Sequence, residues 1–280
     1  MTKLLFVADF FVEHIVGGGE LNNEELINLL REAGHKVVTT QSHLLTEKML
    51  EEADGLIIGN FINLNSFIKN KITNGTVPYV IYEHDHKYLK SRNPASYENF
   101  IAPKSEIINV DFYQNAKAVL CQTKFHADIV QSNLSLDNIV NLSGNLWPLR
   151  TLEFLKTLAT KDKSNKSSIM NSRISHKNTA GSIEYCRIKE IDYELVESAP
   201  PDIFLENLSK NKNLIFFPLT PETFSRIVVE ARMMNMGLIT NNLIGATKEP
   251  WFKKKGLELI NVFIDKRREI TEVVEKCILK

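Results

Sequence analysis

Residues 4–40 read LLFVADFFVEHIVGGGELNNEELINLLREAGHKVVTT, and this stretch decides the fold class. Leu4–Ala8 is a short, uniformly apolar run that predicts a buried β-strand. Glu20–Ala33 repeats leucines on one helical face and predicts an amphipathic helix. Lys36–Thr40 predicts a second strand. A strand, a helix and a strand in this order are typical of a parallel sheet covered by helices.

The same alternation continues through the rest of the chain, apart from a turn-rich and then Lys/Ser/Asn-rich stretch within residues 141–168. We therefore predict an α/β protein with two Rossmann-like, doubly wound halves, and place the boundary near Trp147, giving domains 1–146 and 147–280. The further predicted strands are Leu56–Ile58, Pro78–Tyr82, Ala118–Cys121, Ser168–Met170, Tyr193–Val196, Leu214–Phe217 and Leu238–Thr240. The further predicted helices are one that starts at His126–Gln131, then Asn178–Cys186, Ile203–Ser209, Ser225–Met234 and Arg267–Leu279.

The composition is that of an ordinary globular protein, with 280 residues and 34 basic against 34 acidic side chains. A net charge of zero excludes a global basic field that would draw the whole molecule to nucleic acid or to an anionic membrane. The first 145 residues are acidic and the remainder is basic by the same margin. An anionic ligand is therefore expected on the second half.

The cellular setting is indicated by few and scattered cysteines. Cys121, Cys186 and Cys277 have neither a disulfide pattern nor zinc spacing, which favours a reducing, cytoplasmic setting. The first apolar run is too short for a signal peptide, and no run is long enough for a membrane span. We expect no stable membrane insertion.

The strongest chemical signal lies in residues 217–231, FPLTPETFSRIVVEA. A strand is predicted to end at Phe217, and Glu222 is predicted at the start of the next helix. Glu230 follows eight residues later, so the two carboxylates are expected near one helical face, about 12 Å apart. The plainer alternative makes Glu222 a partner of the helix dipole and Glu230 a solvated helix residue.

The same predicted helix start offers backbone N–H groups to an anion. The amides of Thr223, Phe224 and Ser225 would point out of the helix N-terminus, where they can hold phosphate. Two carboxylates on a helix whose N-terminus holds phosphate suit a nucleotide sugar, with one for sugar hydroxyls and one for ribose hydroxyls.

This segment resembles the Glu-x7-Glu motif of retaining glycosyltransferases of the GT-B fold, in the family 4 group. Residues 231–249, ARMMNMGLITNNLIGATKE, are similar to the continuation of that motif. The resemblance implies two Rossmann-like domains that face each other across a cleft, an acceptor-side domain first and a donor domain second. It also implies that Glu222 contacts the donor sugar, as a catalytic residue, and that Glu230 contacts the ribose. Ser225 departs from the glycine usual in the family.

A second signal is MNSRISHK at residues 170–177, directly after a predicted strand. The resemblance implies a basic pair on the donor phosphates here, and Arg173 and Lys177 match it in kind. Fixed cations would meet the charge that develops on the leaving diphosphate. The alternative is an exposed basic turn.

A third signal is the run Gly17-Gly18-Gly19-Glu20 after the first strand. Its spacing differs from the dinucleotide fingerprint, which disfavours a dehydrogenase. The resemblance implies that Gly18 and Gly19 lie near the donor phosphates and the acceptor. A simple tight turn is the alternative.

The fourth signal is EHDH at residues 83–86. Two histidines without a third ligand give only weak support for a metal. The resemblance implies a histidine near the reacting sugar, so His84 and His86 are both catalytic candidates, with Asp85 as an orienting partner. A surface turn is the alternative.

Lys87, Tyr88, Lys90 and Arg92 follow this motif as a basic and aromatic stretch. They predict either a path for an anionic acceptor or a solvated loop.

Together these residues predict an enzyme that transfers a hexose or pentose from a nucleotide-diphosphate sugar, UDP-sugar first, to a hydroxyl with retention of anomeric configuration. The family is generally metal-independent, so no cofactor is expected beyond the co-substrate. The acceptor is expected to be a glycan or a lipid-linked sugar.

Two other readings stay open. The stretch after residue 82 and the short chain also resemble bacteriophage glycosyltransferases that modify hydroxymethylated pyrimidines in DNA, and residues 87–92 and a linker at 150–166 are locally basic. A non-catalytic nucleotide-sugar-binding protein is a further alternative.

Overall fold

The computed structural model describes residues 1–279 and contains two separate parallel β-sheets in that range. The predicted α/β class is therefore confirmed. The chain divides into one unit of Met1–Leu146 together with the residues from Lys266 onward, and a second unit of Trp147–Asp265.

The first unit is built on a six-stranded sheet in the order β2-β1-β3-β4-β5-β6, with all neighbours parallel. Three of its strands, β3, β4 and β5, are buried along their whole length, as expected of a sheet with helices on both faces. Its strands are β1 (Lys3–Ala8), β2 (Lys36–Gln41), β3 (Gly55–Ile58), β4 (Tyr79–Tyr82), β5 (Ala118–Cys121) and β6 (Ile139–Asn141). Its helices are α1 (Gly18–Glu32), α2 (Glu47–Glu51), α3 (Ser66–Thr73), α4 (Val110–Gln114) and α5 (Lys124–Leu134).

The second unit is built on a four-stranded parallel sheet in the order β10-β9-β7-β8. Its core gathers Trp147, Phe224, Trp251 and Phe263 with the buried residues of the covering helices. Its strands are β7 (Ser164–Met170), β8 (Tyr193–Val196), β9 (Asn211–Phe216) and β10 (Gly237–Thr240). Its helices are α6 (Leu149–Ala159), α7 (Thr179–Lys189), α8 (Pro201–Leu208) and α9 (Arg226–Met233), followed by α10 (Gly256–Leu279), whose later part belongs to the first unit.

The domain assignment 147–280 is corrected at its end. From Lys266 onward α10 belongs to the first unit, because Ile270, Val274 and Ile278 pack into the core beside β1 and β3. The Arg267 guanidinium also pairs with the buried carboxylate of Glu25 on α1. Burial of an apolar face together with a buried ion pair fixes this helical segment to the first unit.

The predicted basic linker at residues 150–166 is also corrected. Its first part is α6, which buries Leu152, Leu155 and Leu158 at helical spacing, and its last residues begin β7. Lys156 therefore lies on a packed helix and Lys166 on a strand, and Lys161 and Lys163 lie in the short turn between these two elements. Strand β6 has only three residues and is not predicted by the sequence pattern.

Within residues 1–279, none of the helices combines the length and the apolar character needed to span a lipid bilayer.

Candidate functional site

The second sheet has its topological switch point between β7 and β9. From β7 the chain proceeds to β8 on one side, whereas β9 pairs with the other side of β7. In open α/β sheets ligands bind outside the carboxyl ends of the strands at such a point. The loops that leave β7 and β9 both start at this edge.

These two loops are joined by hydrogen bonds. The Leu219 N–H donates to the His176 carbonyl at 2.8 Å, and the Asn178 side-chain amide donates to the Phe217 carbonyl at 2.9 Å. The two loops therefore form one surface at the carboxyl end of the sheet. This surface carries Lys177 from the loop after β7 and Glu222 from the loop after β9.

Lys177 and Glu222 meet on this surface. The Lys177 ammonium donates to Glu222 Oε1 at 2.8 Å, and both side chains keep some solvent exposure. Arg173 lies in the same loop as Lys177 and is exposed. The structure thus brings Lys177 together with Glu222.

The predicted helix start at Glu222 is wrong. Glu222 lies in an extended segment paired with the loop after β10: its N–H donates to the Leu243 carbonyl, and its carbonyl accepts from Gly245. Helix α9 begins only at Arg226, because Ser225 has a left-handed backbone with φ of 74°. Glu222 and Glu230 therefore do not share a helix face.

For the same reason, Thr223, Phe224 and Ser225 precede the helix instead of forming its first turn. The Phe224 side chain lies in the core, in ring contact with Trp147 and Trp251. The Ser225 hydroxyl is buried and has no hydrogen-bond partner within residues 1–279. It is a polar atom at the start of α9, next to the loop of Glu222.

Glu230 faces inward and lies between the buried residues Val229 and Ala231 on α9. Its Oε1 accepts a hydrogen bond of 2.8 Å from the Trp147 indole N–H, and Arg226 lies 3.6 Å from the same oxygen. The Arg226 guanidinium also lies over the Trp147 ring. The solvated alternative for Glu230 is excluded by this burial.

In the first unit, the glycine run leads into α1. Gly17 is the N-cap, and Gly18 and Gly19 open the first turn. A Cβ at Gly19 would lie 3.6 Å from the His84 ring, so the start of α1 and the end of β4 are in contact. Burial raises the pKa of Glu20 in the same turn.

His84 is held through both ring nitrogens. Nε2 lies 2.7 Å from Asn23 Oδ1, and Nδ1 lies 2.7 Å from the Gln122 side-chain amide nitrogen. This pattern fits the neutral ring with its proton on Nε2, which donates to Asn23. Burial, followed by the nearby charge of Lys87, lowers the pKa of His84 to about 3. The histidine is therefore a neutral hydrogen-bonding group.

His86 occupies a different environment, in the interior. Its Nδ1 lies 3.0 Å from the Tyr88 hydroxyl, and its ring packs edge-on against His126. Burial lowers the pKa of His86 to about 4. His86 contacts Tyr88 and His126, whereas His84 lies beside Gly19, so the geometry favours His84 as the histidine at the glycine run.

The orienting role predicted for Asp85 is wrong. Asp85 pairs with Lys87 and Arg92, whereas His84 is oriented by Asn23 and Gln122.

The predicted acceptor path is also corrected, because Lys87 and Tyr88 are buried. Lys87 pairs with Glu83 at 2.7 Å inside the unit, and Tyr113 donates to the same carboxylate. Only Lys90 and Arg92 of this stretch are exposed.

The polar residues around His84 were missed by the sequence analysis. Asn23 lies on α1, and Gln122 follows β5. Gln122 accepts in turn from the Asn145 amide at 2.8 Å. The sequence does contain a signal for Asn23. Asn22 and Asn23 are poor helix formers on an otherwise apolar helix face, and buried polar residues of this kind usually form hydrogen bonds.

No group of three His, Cys, Asp or Glu side chains within residues 1–279 is arranged to hold a metal ion.

Three solved structures share this fold. An alpha-glucosyltransferase in complex with UDP and a 13-mer DNA containing a HMU base is 11% identical, with 98% of this chain and 95% of that chain covered and a TM-score of 0.54. HepE from Anabaena in complex with UDP and glucose is 13% identical, with 99% and 92% covered and a TM-score of 0.54. Sucrose-phosphate synthase from Thermosynechococcus elongatus is 8% identical, with 99% and 95% covered and a TM-score of 0.58.

No family model and no curated protein matches the sequence. At these low identities the structural likeness establishes the fold, and the chain has the GT-B fold of these glycosyltransferases.

Proposed function

We propose that the chain is a glycosyltransferase that transfers a sugar from a nucleotide-diphosphate sugar, UDP-sugar first, to an acceptor hydroxyl with retention of anomeric configuration. The observation that carries this proposal is the contact of Lys177 with Glu222 at the switch point of the second sheet. Similar structures of the same fold were solved with UDP, which supports the choice of nucleotide.

The second unit is the proposed donor-binding unit. Lys177 offers its ammonium to the diphosphate, with Arg173 from the same exposed loop as a second cation. Ser225 adds a buried hydroxyl that has no protein partner within residues 1–279. A leaving diphosphate gains negative charge as the glycosidic bond breaks, and a fixed donor that meets this charge lowers the barrier by about 3–4 kcal/mol.

Each carboxylate has a separate role in the proposal. Glu222 lies beside the phosphate-binding cation, where its free oxygen positions sugar hydroxyls. Glu230 binds the ribose through Oε2, because Oε1 is already held by Trp147. The backbone amides of Thr223 and Phe224, just before α9, are further candidates for the phosphates. No protein nucleophile is part of the mechanism.

The first unit is the proposed acceptor-side unit. His84 is the proposed catalytic histidine, because it contacts the start of α1 where Gly18 and Gly19 lie. Because Asn23 and Gln122 hold both ring nitrogens, the proposed role of His84 is to present a neutral ring that places no extra charge near the reacting sugar. His86 is left as a buried structural residue. The proposed reaction needs no metal.

The acceptor is proposed to be a hydroxyl of a glycan or of a lipid-linked sugar. Hydroxymethylated DNA is the second candidate, and one observation favours it: a solved structure of this fold holds DNA with a HMU base. Two features expected to bind DNA are not available in the form predicted. Lys87 is buried, and residues 150–166 are not a basic linker.

The test is turnover with a donor panel of UDP-hexoses and UDP-pentoses. Each donor is combined with free sugars, lipid-linked sugars, and DNA with or without hydroxymethylated pyrimidines. UDP release is followed, and the anomeric configuration of the product is read from NMR coupling constants. We expect release with one donor class and an α-linked product from an α-linked donor.

The matched variants are Glu222→Gln and Glu184→Gln. Glu184 is an exposed carboxylate on α7 that pairs with Arg187, so its loss should leave turnover unchanged. Glu222→Gln should lower kcat about 100-fold or more. Nucleotide binding without turnover on any acceptor would support the non-catalytic binder instead, and an inverted product would contradict retention.

A further inference from the structure

The second unit contains a cavity of about 940 Å³ at the edge of its sheet. Edge strand β10 and the chain that follows it form most of the wall, and the last turn of α9 completes it. A concavity of this volume is in the range of small-molecule sites. Its lining residues are Arg232, Leu238, Thr240, Asn241, Asn242, Thr247, Lys248, Glu249, Pro250, Phe252 and Lys253.

This cavity is separate from the proposed donor site. Arg232 and Glu230 are two residues apart on α9, and successive helical residues are rotated by about 100°, so their side chains leave opposite sides of the helix. Glu230 accordingly contacts Trp147, whereas Arg232 lies 5.5 Å from the Phe252 ring centre. Neither Lys177 nor Glu222 lines the cavity.

The charge of the lining is basic. Arg232, Lys248 and Lys253 supply three cations, against the single carboxylate of Glu249, which is buried. Within residues 1–279 no carboxylate lies within ion-pair distance of any of the three cations. Lys248 and Lys253 are exposed at the rim.

Arg232 has unused donor capacity. Its Nη2 donates weakly to the Lys254 carbonyl at 3.3 Å, and its Nε is buried without a hydrogen-bond partner among residues 1–279. Burial lowers the pKa of Arg232, as expected of a cation that is taken from water and has no counter-charge. Arg232 is half-buried and lines the cavity, so its guanidinium can pair with an anion bound there.

We propose that this cavity binds a small phosphorylated molecule, with Arg232, Lys248 and Lys253 around the phosphate and the Phe252 ring beside its apolar part. A phosphate monoester carries between one and two negative charges at neutral pH and accepts several hydrogen bonds, which suits three cations better than a single carboxylate does. A volume of about 940 Å³ matches a small molecule in size.

The cavity also adjoins the loop of Glu222. Asn241 lines it and donates to the Pro218 carbonyl at 2.8 Å, and the backbone of Gly245 is bonded to Glu222. A ligand here would therefore contact the segment that supports the donor loop. Binding itself does not depend on the proposed transferase activity.

The test measures equilibrium binding of inorganic phosphate and of pyrophosphate to three full-length proteins. The test variant is Lys248→Gln/Lys253→Gln, which removes two cations from the lining. The matched control is Lys254→Gln/Lys255→Gln, because these lysines are exposed neighbours outside the lining and the change in net charge is the same. All three proteins keep Lys177, so any binding at the proposed donor site is common to them.

We expect saturable binding to the wild type and the control, weakened about tenfold or more in the test variant. Equal affinity in all three proteins, or no saturable binding in any of them, would overturn the proposal. So would retention of labelled duplex DNA that is lost in the test variant without any phosphate binding, because the surface would then serve a polymer. Loss of sugar transfer alone would leave this result untouched.

Discussion

Among the lysine–glutamate pairs within residues 1–279, one pair from each unit has nearly the same length as the other but lies in a different environment. In the first unit, Lys87 and Glu83 lie 2.7 Å apart with side chains 1% and 0% exposed. In the second unit, Lys177 and Glu222 lie 2.8 Å apart with side chains 25% and 13% exposed. The pair in the second unit is therefore accessible to a new partner, whereas the pair in the first unit is not.

Both members of the buried pair have further partners inside the unit. Glu83 also accepts from Tyr113, and Lys87 also pairs with Asp85. Burial alone would lower the pKa of Lys87, but Asp85 and Glu83 hold it above its usual value. This pair fixes the segment that carries His84, whereas the pair in the second unit keeps access to solvent and can take a third partner.

The largest expected effect on stability comes from breaking the buried pair. Lys87→Met leaves the Glu83 carboxylate buried without its main counter-charge, so the free energy of unfolding should fall by about 4 kcal/mol. Urea denaturation at neutral pH measures this change.

The control for this variant is Lys90→Met. Lys90 is exposed and lies 3.7 Å from Glu106, so its loss should change the free energy of unfolding by less than about 0.5 kcal/mol. Similar losses in the two variants would contradict the distinction drawn between buried and accessible pairs.

Acidification should destabilise the first unit almost as strongly. Burial lowers the pKa of His84 to about 3 and of His86 to about 4, and it places the pKa of His126 well below its usual value. Below about pH 6.5 these histidines bind protons in the unfolded chain but not in the folded chain. The free energy of unfolding is therefore at its full value above that pH and decreases below it. From pH 7.0 to 5.5 the loss should be about 1.2 kcal/mol for each histidine and roughly 3.5 kcal/mol in all.

Urea denaturation at several pH values tests this expectation. His86→Gln should reduce the loss by one histidine's share, whereas His43→Gln, an exposed position, should leave it unchanged. A stability that stays constant between pH 7.0 and 5.5 would refute the buried, neutral state of these rings.

A smaller effect is expected at Glu230, which combines structural and proposed ligand roles. Glu230→Ala removes the acceptor of the buried Trp147 N–H and should lower the free energy of unfolding by about 2 kcal/mol. Glu230→Gln keeps an oxygen at that position and should lose less than half as much. If both variants unfold alike in thermal or urea denaturation, the bond to Trp147 does not support the fold.

The smallest effect is expected at Ser225, in the loop of the accessible pair. Ser225→Gly relieves a left-handed backbone and removes a buried hydroxyl without a partner in residues 1–279, so it should raise the free energy of unfolding by about 1 kcal/mol. Ser135→Gly is the control, since Ser135 is also left-handed but exposed, and its gain should be smaller. A loss of stability in Ser225→Gly would show that the hydroxyl has a structural role.

The fold was predictable because strand-to-helix alternation is a local pattern. Ala118–Cys121 and Tyr193–Val196 were placed to the residue, since short apolar or β-rich runs between turns leave few alternatives. The start of α9 was not predictable in the same way. Tertiary pairing of Glu222 with the loop after β10 overrides the helical pattern.

The candidate site was predictable in part. Lys177 and Glu222 were each predicted as site residues from their own segments. Their contact depends on the order of strands in the sheet, which local sequence patterns do not specify. Lys87 was predicted on an acceptor path or on a solvated loop, and both alternatives are wrong because burial of a lysine depends on a partner supplied by the fold, here Glu83. Gln122 was missed because an amide after a strand carries no charge pattern, whereas Asn23 had a signal only in its position on the apolar face of α1.

The central claim is that Lys177 binds the diphosphate of the donor. Calorimetric affinities of UDP and UMP for the wild type, Lys177→Gln and the exposed-site control Lys189→Gln test it most directly. The account predicts that the wild type and the control bind UDP more tightly than UMP. Lys177→Gln should lose about tenfold or more for UDP, at least 1.4 kcal/mol, and less than about threefold for UMP. No UDP binding to the wild type, or equal losses for both nucleotides in Lys177→Gln, would contradict it.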